Sequence, residues 1–203
     1  MSDFDSRARE WDKEQRHLDR SQAIASELMK AIPVKAGMGA LEYGAGTGML
    51  SFLLKDRFTE ITMMDSSREM VNVTQEKIQF TAAKNMKAIF IDLEKEDFKG
   101  EFDIIYNQMT MHHVSNIELI LGKFHSMLSK DGYLAIADLY KEDGSFHVDK
   151  KVPHNGFDME ELSSLLKKHG FKDIAHKQCY ILNKTIAAGE LRDYPIFLMT
   201  AVK

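Results

Sequence analysis

Three glycines occupy alternate positions in the segment Gly44-Ala45-Gly46-Thr47-Gly48. Glycine lets the backbone turn sharply and lets a ligand approach closely, because no Cβ stands in the way. An apolar run (38–41) precedes the segment and another (51–54) follows it, which predicts a strand, a turn and a buried helix. The free N–H groups at the start of that helix would point at whatever lies in the turn. The sequence therefore predicts a site for a small ligand here.

Two acidic residues narrow the chemistry of this ligand. Glu42 precedes the first glycine, where it would repel a phosphate and suit a ligand that carries positive charge. Met49 stands where a dinucleotide-binding turn needs its last glycine, and no Lys-Ser or Lys-Thr pair follows as in a phosphate-binding loop. Asp65 ends a second apolar run, 19 residues after Gly46, close to the spacing of about 20 for a carboxylate that binds a ribose hydroxyl. We expect a nucleoside without phosphates and with a cationic end.

The motif series Glu42-x-Gly44-x-Gly46-x-Gly48, Asp65 and Asp92-Leu93 resembles that of class I S-adenosylmethionine-dependent methyltransferases. The similarity is greatest to the type 11 group, which includes ubiquinone and menaquinone C-methylases, and is strongest over residues 38–140. The resemblance implies an enzyme that transfers a methyl group from S-adenosylmethionine. It implies these donor-binding residues: Trp11, Glu42, Tyr43, Gly44, Ala45, Gly46, Asp65, Ser66, Met70, Asp92, Leu93, Asn107 and Gln108.

The resemblance also implies which part of the donor several of these residues hold. The parts are the amino-acid end (Glu42, Gly44, Gly46), the cationic region of the donor (Asn107), the ribose (Asp65) and the adenine (Met70, Asp92, Leu93). Two of these assignments have a plain alternative. Met70 can simply fill the core, as methionine often does. Asp92 can instead be a turn residue before the acidic stretch that follows it.

Four histidines, His112, His113, His147 and His154, fall on loops that we predict at the same edge of a sheet, the carboxyl ends of its strands. His112, His113 and His154 are our candidate catalytic residues, as a base for the methyl acceptor or as a group that orients it, because the pKa of imidazole suits this task. The alternative is that the first two only begin a helix and the others are solvated loop residues.

Asp138 and Tyr140, at the end of the fifth predicted strand, are further candidates for the acceptor side. A metal site is not predicted, because the chain has no His-x-x-x-His pair and no cysteine near these histidines.

The order of elements that must position these residues predicts an α/β fold. Strands and helices alternate, and two closely spaced strands end the chain, which predicts a Rossmann-like, doubly wound sheet of seven strands, mostly parallel with a C-terminal antiparallel hairpin. Ser66-x-x-Glu69 and Ser115-x-x-Glu118 match the capping box that begins a helix. The first and fourth strands should be neighbours, which brings the histidine segment beside the glycine turn.

The whole chain, residues 1–203, is expected to form one methyltransferase domain. Residues 1–20 are densely charged and contain Trp11, and they read either as a solvated helical arm or as a lid over the ligand. Residues 141–157 are polar and are predicted to be an active-site loop.

Composition and charge restrict the class of partner and the compartment of the protein. The net charge is −4 and the pI about 6.1, so no global field attracts nucleic acid, and a small-molecule acceptor is the default expectation. Cys179 is the only cysteine, which excludes an internal disulfide. Neither a membrane-spanning run nor a signal peptide is visible, which predicts a cytoplasmic protein, and the sequence leaves the oligomeric state open.

Two other functions remain open at this point. One is a nucleoside-binding partner subunit of the same fold that has lost catalysis, although an idle pocket has no need for acids at 42, 65 and 92. The other is an NAD-dependent oxidoreductase, which the glycine spacing and Glu42 disfavour.

Overall fold

Among the residues that the structure describes, the strands form one seven-stranded sheet with the order β3-β2-β1-β4-β5-β7-β6. A computed structural model describes residues 3–147, 151–186 and 189–203. The strands are β1 (Gly39–Tyr43), β2 (Glu60–Asp65), β3 (Met86–Phe90), β4 (Phe102–Gln108), β5 (Leu128–Leu139), β6 (Lys172–Thr185) and β7 (Leu191–Val202). The first five strands run parallel to one another, and β7 is antiparallel to both β5 and β6. The predicted doubly wound sheet with a C-terminal antiparallel hairpin is confirmed.

Six α-helices in the described part of the chain connect or cover these strands. They are α1 (Asp3–Arg7), α2 (Gln15–Ala31), α3 (Met49–Leu54), α4 (Arg68–Thr81), α5 (Ile117–Met127) and α6 (Met159–Lys168). Short 3-10 turns lie at Ala8–Lys13, Lys55–Arg57, Met111–His113 and Ser145–His147. Within the ranges that the structure describes, none of the helices has the length and apolar character needed to cross a lipid bilayer.

The strand order reverses at β1. β1 pairs with β2 on one side and with β4 on the other, so that Glu42 lies between Met63 and Tyr106. In open α/β sheets, ligands bind beyond the carboxyl ends of the strands at such a reversal. The glycine turn follows β1 directly, and the predicted neighbourhood of the first and fourth strands is confirmed.

Apolar side chains cover both faces of the sheet. Ile24 and Leu28 of α2 pack on one face together with Leu50 of α3. Ile120 and Phe124 of α5 belong to the core on the other face. Because both faces are covered, the central strands are apolar almost throughout, as expected of a parallel sheet.

Several element boundaries differ from those predicted. Helix α4 is capped by Ser67, whose hydroxyl accepts a hydrogen bond from Met70 N, and not by Ser66. Helix α5 is capped by Asn116, one residue after the predicted Ser115. Helix α2 begins at residue 15, so the last part of the predicted arm or lid (1–20) belongs to a regular helix. The segment that could cover the site is therefore shorter than predicted.

Candidate functional site

The glycine turn is fixed by backbone contacts on both sides. Ala45 N donates to Met64 O at 2.9 Å, and Thr110 Oγ1 donates to Gly44 O at 3.2 Å. Gly44 has a φ of +64°, and a Cβ there would lie 2.1 Å from the Thr110 side chain, so only glycine fits. Gly46 has a φ of +56° but open space, since only Met70 Sδ, at 3.9 Å, would meet a Cβ. The turn therefore leaves room for a ligand at Gly46.

Asp65 holds this turn against the next helix. Its Oδ2 accepts a hydrogen bond from Gly46 N at 2.7 Å, and its Oδ1 accepts one from Ser67 N at 2.7 Å. Burial raises the pKa of the Asp65 carboxyl, although these backbone N–H groups act in the opposite direction. Ser66, which was predicted to bind the donor, is exposed beside it.

Glu42 lies beneath the turn, fully buried. Its Oε2 accepts hydrogen bonds from Ser51 Oγ (2.5 Å) and Ser51 N (3.2 Å), and Ser51 Oγ lies 2.7 Å from the Tyr106 hydroxyl. Its Oε1 has no hydrogen-bond partner among the described residues. Burial raises the pKa of Glu42 to about 8. A cationic group of a ligand would satisfy Oε1 and favour the ionised carboxylate.

Asn107 adds a second unsatisfied group near the end of β4. It is buried, and neither its amide nitrogen nor its amide oxygen has a hydrogen-bond partner within the described ranges. Buried polar atoms are almost always paired in folded proteins. The open Glu42 oxygen and the open Asn107 amide therefore fit a polar, cationic ligand end, as predicted for the amino-acid part of the donor.

The side chains of the residues predicted to bind the adenine are buried or engaged in other contacts. Asp92 accepts from Glu94 N at 3.0 Å and pairs with Lys95 at 2.7 Å, which is the behaviour of a turn residue. Leu93 is fully buried, and its carbonyl accepts from Lys123 Nζ at 2.8 Å. Met70 is also buried, with its sulfur facing Gly46.

The other predicted donor residues contribute differently. Tyr43 and Ala45 are buried in the core, with the Tyr43 ring edge-on to Phe124 at 5.2 Å between ring centroids. Gln108 Oε1 accepts from Ser21 Oγ at 3.0 Å and so ties β4 to α2. Tyr43 and Ala45 can therefore meet a ligand mainly through their backbone.

The N-terminal segment (residues 3–13) packs on the glycine turn and on α4. Asp12 accepts from Thr47 Oγ1 at 2.5 Å and pairs with Lys77 at 2.7 Å, and Lys77 also donates to Thr47 O at 2.8 Å. Asp5 accepts from Ser67 Oγ at 2.6 Å, at the start of α4. The segment therefore contacts both the glycine turn and the helix that follows Asp65.

Two aromatic residues extend this cover. Trp11 stacks on His17 of α2, with ring centroids 4.3 Å apart. Phe4 meets Trp11 at 6.2 Å and the ring of His113 at 5.2 Å. The N-terminal segment thus reaches from the glycine turn to the histidines.

The structure brings three of the four histidines together. The rings of His112 and His113 are 4.1 Å apart between centroids, and the ring of His147 lies 5.1 Å from the first and 5.2 Å from the second. His112 and His113 belong to the 3-10 turn that follows Thr110, the residue bonded to the glycine turn. The three side chains, here called the histidine cluster, therefore adjoin the donor side.

Asp138 fixes one member of this cluster. His112 Nδ1 lies 2.6 Å from Asp138 Oδ1, and both side chains are buried. Burial acts to raise the pKa of Asp138, but His112 and the Leu139 and His112 backbone N–H groups outweigh it, so the pKa lies below its ordinary value. An ionised Asp138 can only accept, so His112 Nδ1 donates to it, and in the neutral tautomer of this ring the lone pair is on Nε2. This Nε2 is buried and has no hydrogen-bond partner in the described part of the chain.

His147 reaches the cluster because the segment after β5 folds back. Lys141 N donates to Phe157 O, and Glu142 N donates to Asn155 O, each at 2.9 Å. The turn at Ser145–His147 is held by Ser145 Oγ, 2.8 Å from the Tyr194 hydroxyl of β7. Part of the predicted active-site loop, residues 148–150, lies outside the described residues.

The side chain of His154 is not part of the histidine cluster, although its backbone N donates to His112 O at 3.2 Å. Its Nε2 is 3.0 Å from Val114 O, and its ring lies 5.5 Å from that of Phe157. It lines a surface groove of about 710 Å³ together with Leu165 and residues 115–119. Of the three predicted catalytic histidines, the structure therefore brings two together, joined by His147.

Sequence reasoning missed one buried charge near this site. Arg20 of α2 is buried, and its Nε has no hydrogen-bond partner among residues that the structure describes. Burial lowers the pKa of its guanidinium to about 10, against the attraction of Asp138. The sequence did indicate this burial, since Arg20 falls on the apolar face of a helix, four residues before Ile24.

A protein-family model described as a methyltransferase domain matches residues 15–178. An uncharacterized methyltransferase of Schizosaccharomyces pombe is 28% identical over 150 residues, which cover 66% of this chain and 53% of that protein. An uncharacterized methyltransferase of Staphylococcus carnosus is 30% identical over 145 residues, which cover 70% of this chain and 67% of that protein. The chain thus spans about half the length of the first relative and two thirds of the second.

The fold has a clear counterpart among solved structures. The crystal structure of a SAM dependent methyltransferase from Aquifex aeolicus matches with a TM-score of 0.71 and 19% identity, over 98% of each chain. At this level of identity, the match supports the fold alone.

Proposed function

Because this chain belongs to the methyltransferase domain family, we propose that it transfers a methyl group from S-adenosylmethionine to a small-molecule acceptor. The observation that carries this proposal is the glycine turn: Asp65 fixes Gly46 N, and the buried Glu42 oxygen and Asn107 amide behind the turn lack partners in the described part of the chain. Such a site suits a nucleoside without phosphates and with a cationic end. S-adenosylmethionine supplies an activated methyl group on a sulfonium, so the protein mainly has to align donor and acceptor.

We assign the donor-side residues as follows. The Gly44 and Gly46 backbone and the side chains of Glu42 and Asn107 bind the amino-acid end. Asp65 binds the ribose, while Met70 and Asp92 adjoin the adenine. The N-terminal segment acts as a lid, since Asp12 and Asp5 attach it to both sides of the donor site.

The histidine cluster is our acceptor side. It adjoins the glycine turn through Thr110, and Phe4 of the lid packs on His113. The lone pair of His112 Nε2 can bind either a proton of the acceptor or a metal ion. The chain has a net charge of −4, which favours a small acceptor over nucleic acid.

Titration calorimetry with S-adenosylhomocysteine and with NAD tests the donor assignment. We expect one molecule of S-adenosylhomocysteine to bind per chain and NAD not to bind. Preferential binding of NAD would identify an oxidoreductase instead, and binding of neither ligand would contradict the proposed donor site.

Gly46→Arg gives a sharper test, because the arginine side chain fills the open space at the turn. We expect S-adenosylhomocysteine binding to be lost with the far-UV circular dichroism unchanged. Gly37→Arg is the matched control, since Gly37 also has a positive φ (+96°) and open surroundings but lies before β1, away from the turn. Equal affinity in the two variants would refute the assignment.

Catalysis is tested separately from binding. S-adenosylmethionine is incubated with mixtures of small hydroxyl, thiol and amine compounds, and the formation of S-adenosylhomocysteine is measured. Turnover is expected with at least one class of compound. Binding without turnover in any mixture would favour the inactive partner subunit.

A further inference from the structure

The histidine cluster has the composition and spacing of a metal site. One nitrogen from each of His112, His113 and His147 can be chosen so that all three lie within 4.8 Å of one another. In a tetrahedral zinc site with Zn–N distances of about 2.0–2.1 Å, the ligand nitrogens are about 3.4 Å apart. Side-chain rotations that move the rings by about an ångström would close this difference. Two of the three centroid distances, 5.1 and 5.2 Å, are already those expected for imidazoles around one ion.

Asp138 supplies the hydrogen-bond acceptor that usually binds the second ring nitrogen of a metal-binding histidine. Histidines that bind metal almost always donate their other ring N–H to a carboxylate, carbonyl or water, which fixes the tautomer and the ring orientation. Asp138 accepts from His112 Nδ1 at 2.6 Å, and its carboxylate is held by His112 N at 3.2 Å and Leu139 N at 2.7 Å. This leaves Nε2 as the nitrogen of His112 that can bind an ion.

The plain alternative is that the histidines only pack against one another. Packing explains the ring contacts with Phe146 and Phe4. It does not explain why His112 Nε2 is buried without a hydrogen-bond partner inside the described ranges, which has a free-energy cost for a polar atom. An ion bound to that nitrogen would remove this cost.

We propose that His112, His113 and His147 bind one divalent metal ion of the zinc type, with Asp138 orienting His112. Three imidazoles suit Zn²⁺ among the first-row metals, and three protein ligands leave a fourth position open, as in catalytic zinc sites. Phe4 of the N-terminal segment packs on the His113 ring beside this cluster.

The role of the ion rests on the proposed function and narrows the acceptor class to hydroxyl or thiol compounds. A bound metal lowers the pKa of a coordinated O–H or S–H group, so the acceptor loses its proton to solvent. The resulting anion forms the new bond to the methyl carbon while the carbon–sulfur bond of the donor breaks. The products are the methylated acceptor, neutral S-adenosylhomocysteine and one proton.

Zinc titration of the chelator-treated protein tests the site without any methyl transfer. We expect one Zn²⁺ per chain with a dissociation constant on the order of 1 μM or tighter, about 8 kcal/mol of binding free energy. His112→Ala, His113→Ala and His147→Ala should each weaken zinc binding at least about 100-fold. His176→Ala is the matched control, because His176 is exposed on β6, and its zinc affinity should be that of the wild type. Equal zinc affinity in the cluster variants and the control would overturn the proposal.

Two further measurements need no variant that could misfold. X-ray absorption at the zinc edge of the wild-type protein should give three imidazole nitrogens at about 2.0–2.1 Å. The visible spectrum of the Co²⁺-loaded protein should be that of a four-coordinate ion and should change when azide is added. A sulfur or all-oxygen shell would contradict the site, and a spectrum insensitive to azide would contradict the open position.

S-adenosylhomocysteine binding is measured on the same samples. Donor binding without zinc binding refutes only the metal site. Zinc binding without donor binding refutes only the proposed function.

Discussion

Glu42 carries a buried carboxyl group with one open oxygen, and this makes donor binding depend on pH. Its pKa of about 8 in the free protein means that it is mostly protonated at pH 7. A cationic ligand favours the ionised form, so binding must release a proton below pH 8. We expect the affinity for S-adenosylhomocysteine to rise by up to about tenfold per pH unit between pH 6 and pH 8 and then to level off. Calorimetry in buffers of different ionisation enthalpy measures both the affinity and the released proton.

Glu42→Gln is the control for this effect, because it keeps the histidines and all other titrating groups. Its affinity should be lower than that of the wild type at pH 8 and nearly independent of pH. If the affinity of the wild type were equally independent of pH, Glu42 would not face the donor.

The same raised pKa has a consequence for stability. Between pH 4.5 and pH 8 the folded protein keeps a proton on Glu42 that the unfolded chain loses, so this group lowers the free energy of unfolding as the pH rises. Glu42→Gln should remove this contribution, which denaturant unfolding at pH 5 and pH 8 would detect.

Among the elements, the N-terminal segment is attached to the glycine turn and to α4 in part by Asp12, which bonds to Thr47 and Lys77. Asp12→Ala removes its bonds to Thr47 and Lys77, which we expect to cost about 1–2 kcal/mol in the closed state. Dissociation of S-adenosylhomocysteine, followed by stopped flow, should become about 5–30-fold faster.

Asp19→Ala provides the comparison for the lid. Asp19 is an exposed acid on the following helix that accepts a hydrogen bond from Gln15. This variant should release the ligand at the wild-type rate. Unchanged release from Asp12→Ala would mean that the N-terminal segment does not cover the bound donor.

Local sequence signals predicted most of the helices and strands, and the errors in the predicted helix starts have local causes. Two serines follow Asp65, and the capping-box spacing selects Ser66, but Asp65 accepts from Ser67 N, and Ser67 caps the helix. Likewise, Asn116 stands beside the predicted Ser115, and either side chain is a good cap. Which of two adjacent polar residues begins a helix depends on the path of the preceding strand, which the sequence alone does not define.

The donor turn and the histidine cluster differ in how far they could be predicted. The residues of the turn are close in sequence, so their spacing alone indicates their chemistry. The cluster joins His112 to His147 and to Asp138, which lie 26 residues or more apart. Its assembly depends on how residues 141–147 pack against β7, and no short motif encodes that path. Metal chemistry was therefore not predicted.

For the whole molecule, both faces of the sheet must be packed for the carboxyl edge to keep its geometry. Phe124 is fully buried on one face, and Phe124→Ala should lower the free energy of unfolding by about 3–5 kcal/mol in chemical denaturation. Phe80→Ala is the control, because Phe80 is 93% exposed, and it should change stability by no more than about 0.5 kcal/mol. A small effect at Phe124 would mean that this face of the core can collapse around the lost ring.

The stacking of Trp11 on His17 has a practical consequence for the molecule in solution. This is the only indole in the chain, and it lies where the N-terminal segment meets α2. Its ultraviolet emission therefore reports on that junction without background from any other tryptophan. The protein carries a native optical probe, so opening and closing of the segment can be followed without attaching a dye.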